Sequence, residues 1–154
     1  MDLARNLKHE TVRRLNPTRA WHVLPTHTVA DAVQLMRDKG VGCVLVCENR
    51  QVVGIFTERD LLRRILAAGQ PLTGPIGDCM TRDPVTVQLY DPISVALRWM
   101  QKGGYRHLPV VDDGKPVGIL SIKRVVHYLV EHFPAAVYNL PPHPHPVAQK
   151  REGA

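Results

Sequence analysis

Aromatic side chains are scarce, 5% of 154 residues, with only two Phe and two Trp. A chain so poor in rings offers few platforms on which unpaired bases could stack. It also carries no aromatic RNA-binding signature and no helix-turn-helix pattern. Basic stretches do occur (RRL at 13–15, RDLLRR at 59–64, KR at 123–124), so a basic nucleic-acid-binding domain stands as the alternative reading. Cysteine is nearly absent: Cys43, Cys47 and Cys79. The first two share the strand-like run VGCVLVC, where four residues span roughly 13 Å, too far for a disulfide. All three are read as reduced thiols, and no tight Cys/His ligand pair suggests a metal. No apolar run approaches the ~20 residues of a membrane helix. The opening MDLARNLKHETVRRL has no apolar stretch like that of a secretory signal. A cytoplasmic location without membrane attachment is therefore expected. There is no Walker loop, nucleophile elbow or zinc-spaced ligand set, and His22, His27, His107 and His127 are scattered, so no catalysis is expected.

What the chain has is repetition. Apolar residues make up 44%, enough for a real core, and the formal net charge is +6, which suits anionic partners. Sliding the sequence by sixty-four residues superposes Val23–Leu62 on its second half without gaps. Ala32/Ala96, Met36/Met100, Gly40/Gly104, Val46/Val110, Val53/Val117, Gly54/Gly118 and Ile55/Ile119 coincide. Each copy has an apolar 3–4 spacing (Val29, Val33, Met36; Ile93, Leu97, Met100) that predicts an amphipathic helix. Thr28 caps the first helix and Asp91-Pro92 the second; Gly40 and Gly104 end them. Strands VLVC and LPVV follow, then turns at ENRQ and DDGK, of which Asp-Gly is the better hairpin signal. Strands VVGIF and PVGIL come next, and ERDLLRRILAAG or IKRVVHYLVEHF closes the copy as a helix.

The expected architecture is α/β (α+β): two β-α-β-β-α units packed sheet to sheet about a pseudo-two-fold axis. The expected divisions are a helical extension at 1–16, units at 17–69 and 79–133, a linker at 70–78, and a Pro/His-containing tail at 134–154. His143 and His145 alternate with prolines there, a weak metal-binding pattern or a solvated tail.

The phrases GIFTERD (54–60), GILSIKR (118–124), YRHLPVVDDGKPVGI (105–119) and DCMTRDPVTV (78–87) resemble a tandem pair of CBS domains, the Bateman module. The resemblance covers about residues 17–133, and the closing LVEHFPAAVYNLPP resembles small stand-alone bacterial members. It implies a non-catalytic regulatory module, usually a homodimer paired through its helices, that binds AMP, ADP, ATP, S-adenosylmethionine or NAD(H) between the units and acts on an unknown effector protein.

Gly54-x-x-Thr57-x-x-Asp60 suits a ribose. Gly54 would let a ligand approach the backbone. Thr57 offers a hydroxyl and an amide at a strand end. Asp60, in the first helical turn, accepts hydrogen bonds from adjacent sugar hydroxyls; the other reading is that Thr57 merely caps the helix. The resemblance adds Gly42 and Cys43 along one edge, Ile55 and Phe56 on one side of the base, and Met80, Pro84 and Val85 on the other. It also implies that Arg106, His107 and Lys123 reach across to phosphates. Core packing for the apolar residues, and a surface position for the cations, are the other readings.

The second frame carries Ser121 but replaces the acid with Arg124, a donor-only side chain. That cleft, with Val23 beside it, is read as degenerate. It is empty, or Arg124 holds phosphate there, or Arg124 pairs with Asp31 or Glu131. One nucleotide per chain is expected.

Overall fold

The computed structural model describes residues 2–138; the histidines His143 and His145 lie outside them. The elements are α1 (Leu3–His9), β1 (His22–Val23), α2 (Val29–Lys39), β2 (Cys43–Glu48), β3 (Gln51–Thr57), α3 (Glu58–Asp60, running into a π-helical stretch at Leu61–Leu66), β4 (Thr81–Arg82), β5 (Val87–Gln88), α4 (Ile93–Gly103), β6 (His107–Asp112), β7 (Lys115–Ser121), α5 (Ile122–His132) and α6 (Pro134–Tyr138). They follow the predicted order except for β4, in the stretch read as connector, and α6, at the start of the stretch read as tail. They form two sheets, β1-β2-β3-β4 and β5-β6-β7.

The sixty-four-residue shift holds at the level of single pairs. Val23 faces Val46 in a parallel ladder, as Val87 faces Val110. Cys43 opposes Thr57 as His107 opposes Ser121, and both hairpins slip register after Val46 or Val110. Gly40 and Gly104 end α2 and α4 in the left-handed region, at φ 63° and 68°. Thr28 caps α2 as expected. Asp91 does not cap α4: its carboxylate accepts from the Gln88 amide instead, and the helix starts behind Pro92.

The amino-terminal segment is not a separate extension. α1 ends at His9, and a 3-10 turn at Val12–Leu15 follows. Val12 and Leu15 sink into the core of the second unit, among Val87, Ile93, Ala96, Met100, Leu108, Val110, Leu120, Val125 and Tyr128. Thr18 then pairs with Ile119 on the edge of β7, and the Tyr128 hydroxyl donates to Asn6 at 2.8 Å. The connector does the reverse. Ile76 and Met80 fill the core of the first unit with Val23, Val44, Val46, Phe56 and Ile65, and β4 pairs with β3. Under the same shift, Val12 stands over Ile76. Each unit is therefore completed by the lead-in to the other. A third, smaller cluster joins the units through Cys43, Leu45, Cys47, Ile55 and Ile119.

That exchange explains the paired glycines. A β-carbon on Gly54 would strike the Met80 thioether and come within 3.1 Å of the Thr81 carbonyl oxygen. On Gly118 it would meet Pro17 at 2.9 Å and the Thr18 carbonyl at 3.1 Å. The glycines admit the crossing chain, not a ligand, which corrects the expectation for Gly54.

Candidate functional site

Asp60 is placed by the end of β3. The Thr57 hydroxyl accepts from the Asp60 amide at 3.2 Å, and Asp60 Oδ2 accepts from the Thr57 amide at 3.0 Å. This reciprocal pair satisfies two donors that a helix start leaves open. Asp60 is only 8% exposed, the one buried charged side chain among the described residues. A buried carboxylate needs partners. Thr81 donates its hydroxyl to Oδ1 at 3.2 Å, and Arg64 Nε stands 3.5 Å away. The Arg64 guanidinium also donates to the Met80 carbonyl at 2.8 Å. Arg64 and Thr81 thus strap the acid to the lead-in of the second unit.

Asp60 opens onto a cleft of about 470 Å³ between the units, within the ~300–1,000 Å³ usual for small-molecule sites. Gly42, Ile55, Thr57, Asp60, Pro84, Val85, Arg106 and His107 line it, together with Arg59, Arg63, Arg64, Thr81, Arg82 and Tyr105, which the sequence reading did not pick out. Ile55, Pro84 and Val85 supply an apolar wall. Four expected residues lie elsewhere. Phe56 is fully buried in the first unit's core, where Met80 joins it to cover Gly54. The Cys43 side chain belongs to the cluster between the units. Lys123 lines the other cleft.

That second cleft, about 780 Å³, is lined by Thr18, Arg19, Arg37, Cys43, Ser121 and Lys123, and shares Gly42, Glu58, Arg106 and His107 with the first. Ser121 accepts from the Arg124 amide at 3.4 Å, but Arg124 lines a different groove behind α5. Val23 lies in the first unit's core. Among the described residues Arg124 has no ion-pair partner: Glu131 takes His127 at 3.5 Å, and Asp31 serves the α2 cap. The second cleft therefore lacks an acid at the position Asp60 holds in the first.

Glu58 stands where the clefts meet. Its amide donates to the Gly42 carbonyl at 3.0 Å, and a β-carbon on Gly42 would meet its carboxylate at 2.7 Å. Burial, then the charge of Glu58, pushes the Cys43 thiol up to about 12, so it is an inert packing group. Burial also lowers the His107 imidazole below its usual range; Glu58 opposes this, and Lys123 and Arg106 add to it.

The repeated frame agrees with an independent comparison. The CBS domain family matches residues 12–67 and again 76–131. The chain belongs to the CBS-domain family. A 17.7 kDa protein of Acidianus ambivalens is 32% identical over 78% of this chain and 73% of its own length. The chain also matches CBS domain-containing proteins of Arabidopsis thaliana, but spans only 22% of their length. A CBS domain protein from Pyrobaculum aerophilum, solved complexed with AMP, is similar at 28% identity and a TM-score of 0.69, covering 74% of this chain and 88% of that one. CBSX2 in complex with AMP is similar at 30% identity and 0.67, covering 79% and 97%.

Within this CBS pair, the residues missed by the sequence reading had a visible signal. Arg59 and Arg63, and Asp60 and Arg64, are four apart in RDLLRR, one helical turn. That run read as a basic stretch because the helix facing was not yet known; α3 turns it to the cleft. Among the described residues no helix is long and apolar enough to cross a membrane.

Proposed function

We propose that this CBS pair is a regulatory module that binds one adenine nucleotide in the cleft at Asp60 and has no chemistry of its own. The observation that carries the reading is a buried carboxylate facing a cleft rimmed by Arg59, Arg63, Arg82 and Arg106. Asp60 would take the ribose hydroxyls, displacing the Thr81 hydroxyl and Arg64. The base would lie against Ile55, Pro84 and Val85, and the phosphates among the arginines, which suit them by charge and forked donors. AMP in the similar proteins of known structure supports an adenine nucleotide. The arginines also weigh against S-adenosylmethionine, whose sulfonium is itself a cation, while NAD(H) stays compatible through its pyrophosphate. The second cleft has no acceptor to match Asp60, so we expect one nucleotide per chain. Leu62 and Leu66, each 60% exposed, and Val126, 51% exposed, leave apolar helix faces that suit a homodimer.

The decisive experiment is calorimetric titration of AMP, ADP and ATP into the wild-type chain and Asp60→Asn. The amide keeps the cap geometry but loses the charge. Affinity should fall about 10- to 100-fold, the scale of a lost charged hydrogen bond of about 1.5–3 kcal/mol. Binding of no nucleotide, or equal binding by both proteins, would overturn the assignment.

A further inference from the structure

Arg124 remains unexplained by the clefts. The groove behind α5 that it lines measures about 390 Å³ and is also bounded by Arg13, Arg14, Asn16, His127, Tyr128, Glu131 and His132. Three guanidinium groups and two imidazoles converge there from two segments that are far apart in sequence: the 3-10 turn at 12–15 and the helix α5. Only part of this charge is met. Arg14 pairs with Glu10 at 3.6 Å and His127 with Glu131 at 3.5 Å. Arg13 and Arg124 form no ion pair among the described residues, although Glu131 shares the groove and Arg124 is only partly exposed. Tyr128 and His132 stack at 4.4 Å and form one wall. The repeat sharpens the point. Sixty-four residues away, Arg13, Arg14 and Arg124 correspond to Gly77, Asp78 and Asp60, while His127 and Tyr128 correspond to Arg63 and Arg64, so the balanced acids and bases of the first unit's corner give way to an excess of cations in the second.

We propose that this groove is a separate anion site that takes a compact phosphate-bearing ligand, distinct from both clefts. Forked arginine donors match phosphate oxygens, and at about 390 Å³ the groove suits a compact anion. This inference does not rest on the nucleotide reading.

The test uses inorganic pyrophosphate and the imidazole NMR resonances of His127 and His132, which report this groove, with His107 reporting the clefts. Pyrophosphate should shift His127 and His132 saturably, and Arg13→Gln and Arg124→Gln should each raise the dissociation constant read from them about tenfold or more. Among the described residues neither arginine side chain donates a hydrogen bond to the protein, so both variants should fold, and an unchanged His107 resonance in the free protein checks this. Resonances of His127 and His132 that do not move, or that move alike in wild type and variants, would overturn the proposal. So would a single-stranded oligonucleotide that shifts them where pyrophosphate does not.

Discussion

Thr28 and Asp31 open α2 with the same reciprocal hydrogen bonds that Thr57 and Asp60 make at α3. The motif is a helix-start device in both places, and the Thr28 amide holds the exposed Asp31 carboxyl below its usual range. Only surroundings separate the two: Asp60 is buried against Thr81 and Arg64 at a cleft, and nothing in Thr-x-x-Asp announces that. His107 gives a pH prediction at this scale. Its folded-state pKa lies below the ordinary 6.5, so below that value the unfolded chain binds more protons and stability falls with pH. Urea unfolding should therefore lose stability as pH drops from about 7 through the ordinary histidine range, and His107→Gln should flatten that loss; identical slopes would refute it. A phosphate beside His107 favours the charged ring, so nucleotide binding near pH 6.5 should take up protons, visible as a buffer-dependent heat.

Hairpins, helices and their ladders were legible in the sequence because each rests on a local signal repeated at a fixed spacing. Turn chemistry is the instructive case. Asn49 and Arg50 both adopt positive φ, 53° and 64°, where the second hairpin has Asp113 and Gly114 at 54° and 79°. A turn of this kind favours Gly at its second central position, and Arg50 carries a steric cost that Gly lacks. Arg50→Gly should raise stability by about 0.5–1 kcal/mol, read as a higher urea midpoint at constant m-value. The glycines of the second strands make the opposite prediction. Gly54→Ala pushes a methyl group toward the backbone of Thr81, and should destabilise by about 1–3 kcal/mol, as overpacking does. What the sequence hid at this scale was the π-helical stretch at Leu61–Leu66, because six residues are too few for an apolar period to separate i→i+5 from i→i+4 bonding.

The crossed lead-ins belong to the whole molecule and were the least legible feature. Residues 12–20 and 76–84 share no identity under the shift, since each needs only a pair of apolar plugs, led by Val12 or Ile76, and a backbone that reaches the far sheet. Val12 and Ile76 are fully buried. Val12→Ala should cost about 2 kcal/mol or more through the cavity it leaves. Its effect should appear first in the second unit, although the residue precedes the first unit in the chain. Single-tryptophan variants separate the two: Trp99 on α4 should report the early loss and Trp21 should lag; simultaneous loss would mean the units unfold as one. Cleaving the chain near Gly69 should leave neither fragment folded alone, while mixing both should restore the native spectrum.

Because Val12 and Leu15 pack against Val125 and Tyr128, a growing chain meets an awkward schedule on the ribosome. The first unit has all its parts once Thr81 and Arg82 emerge. The opening plug has no destination until α5 is made, more than a hundred residues after it. At ~5–20 residues per second those two side chains wait for several seconds at least, two apolar residues in a charged segment trailing from a domain already shut. The second unit therefore closes only after synthesis of α5, by recapturing a segment made long before it.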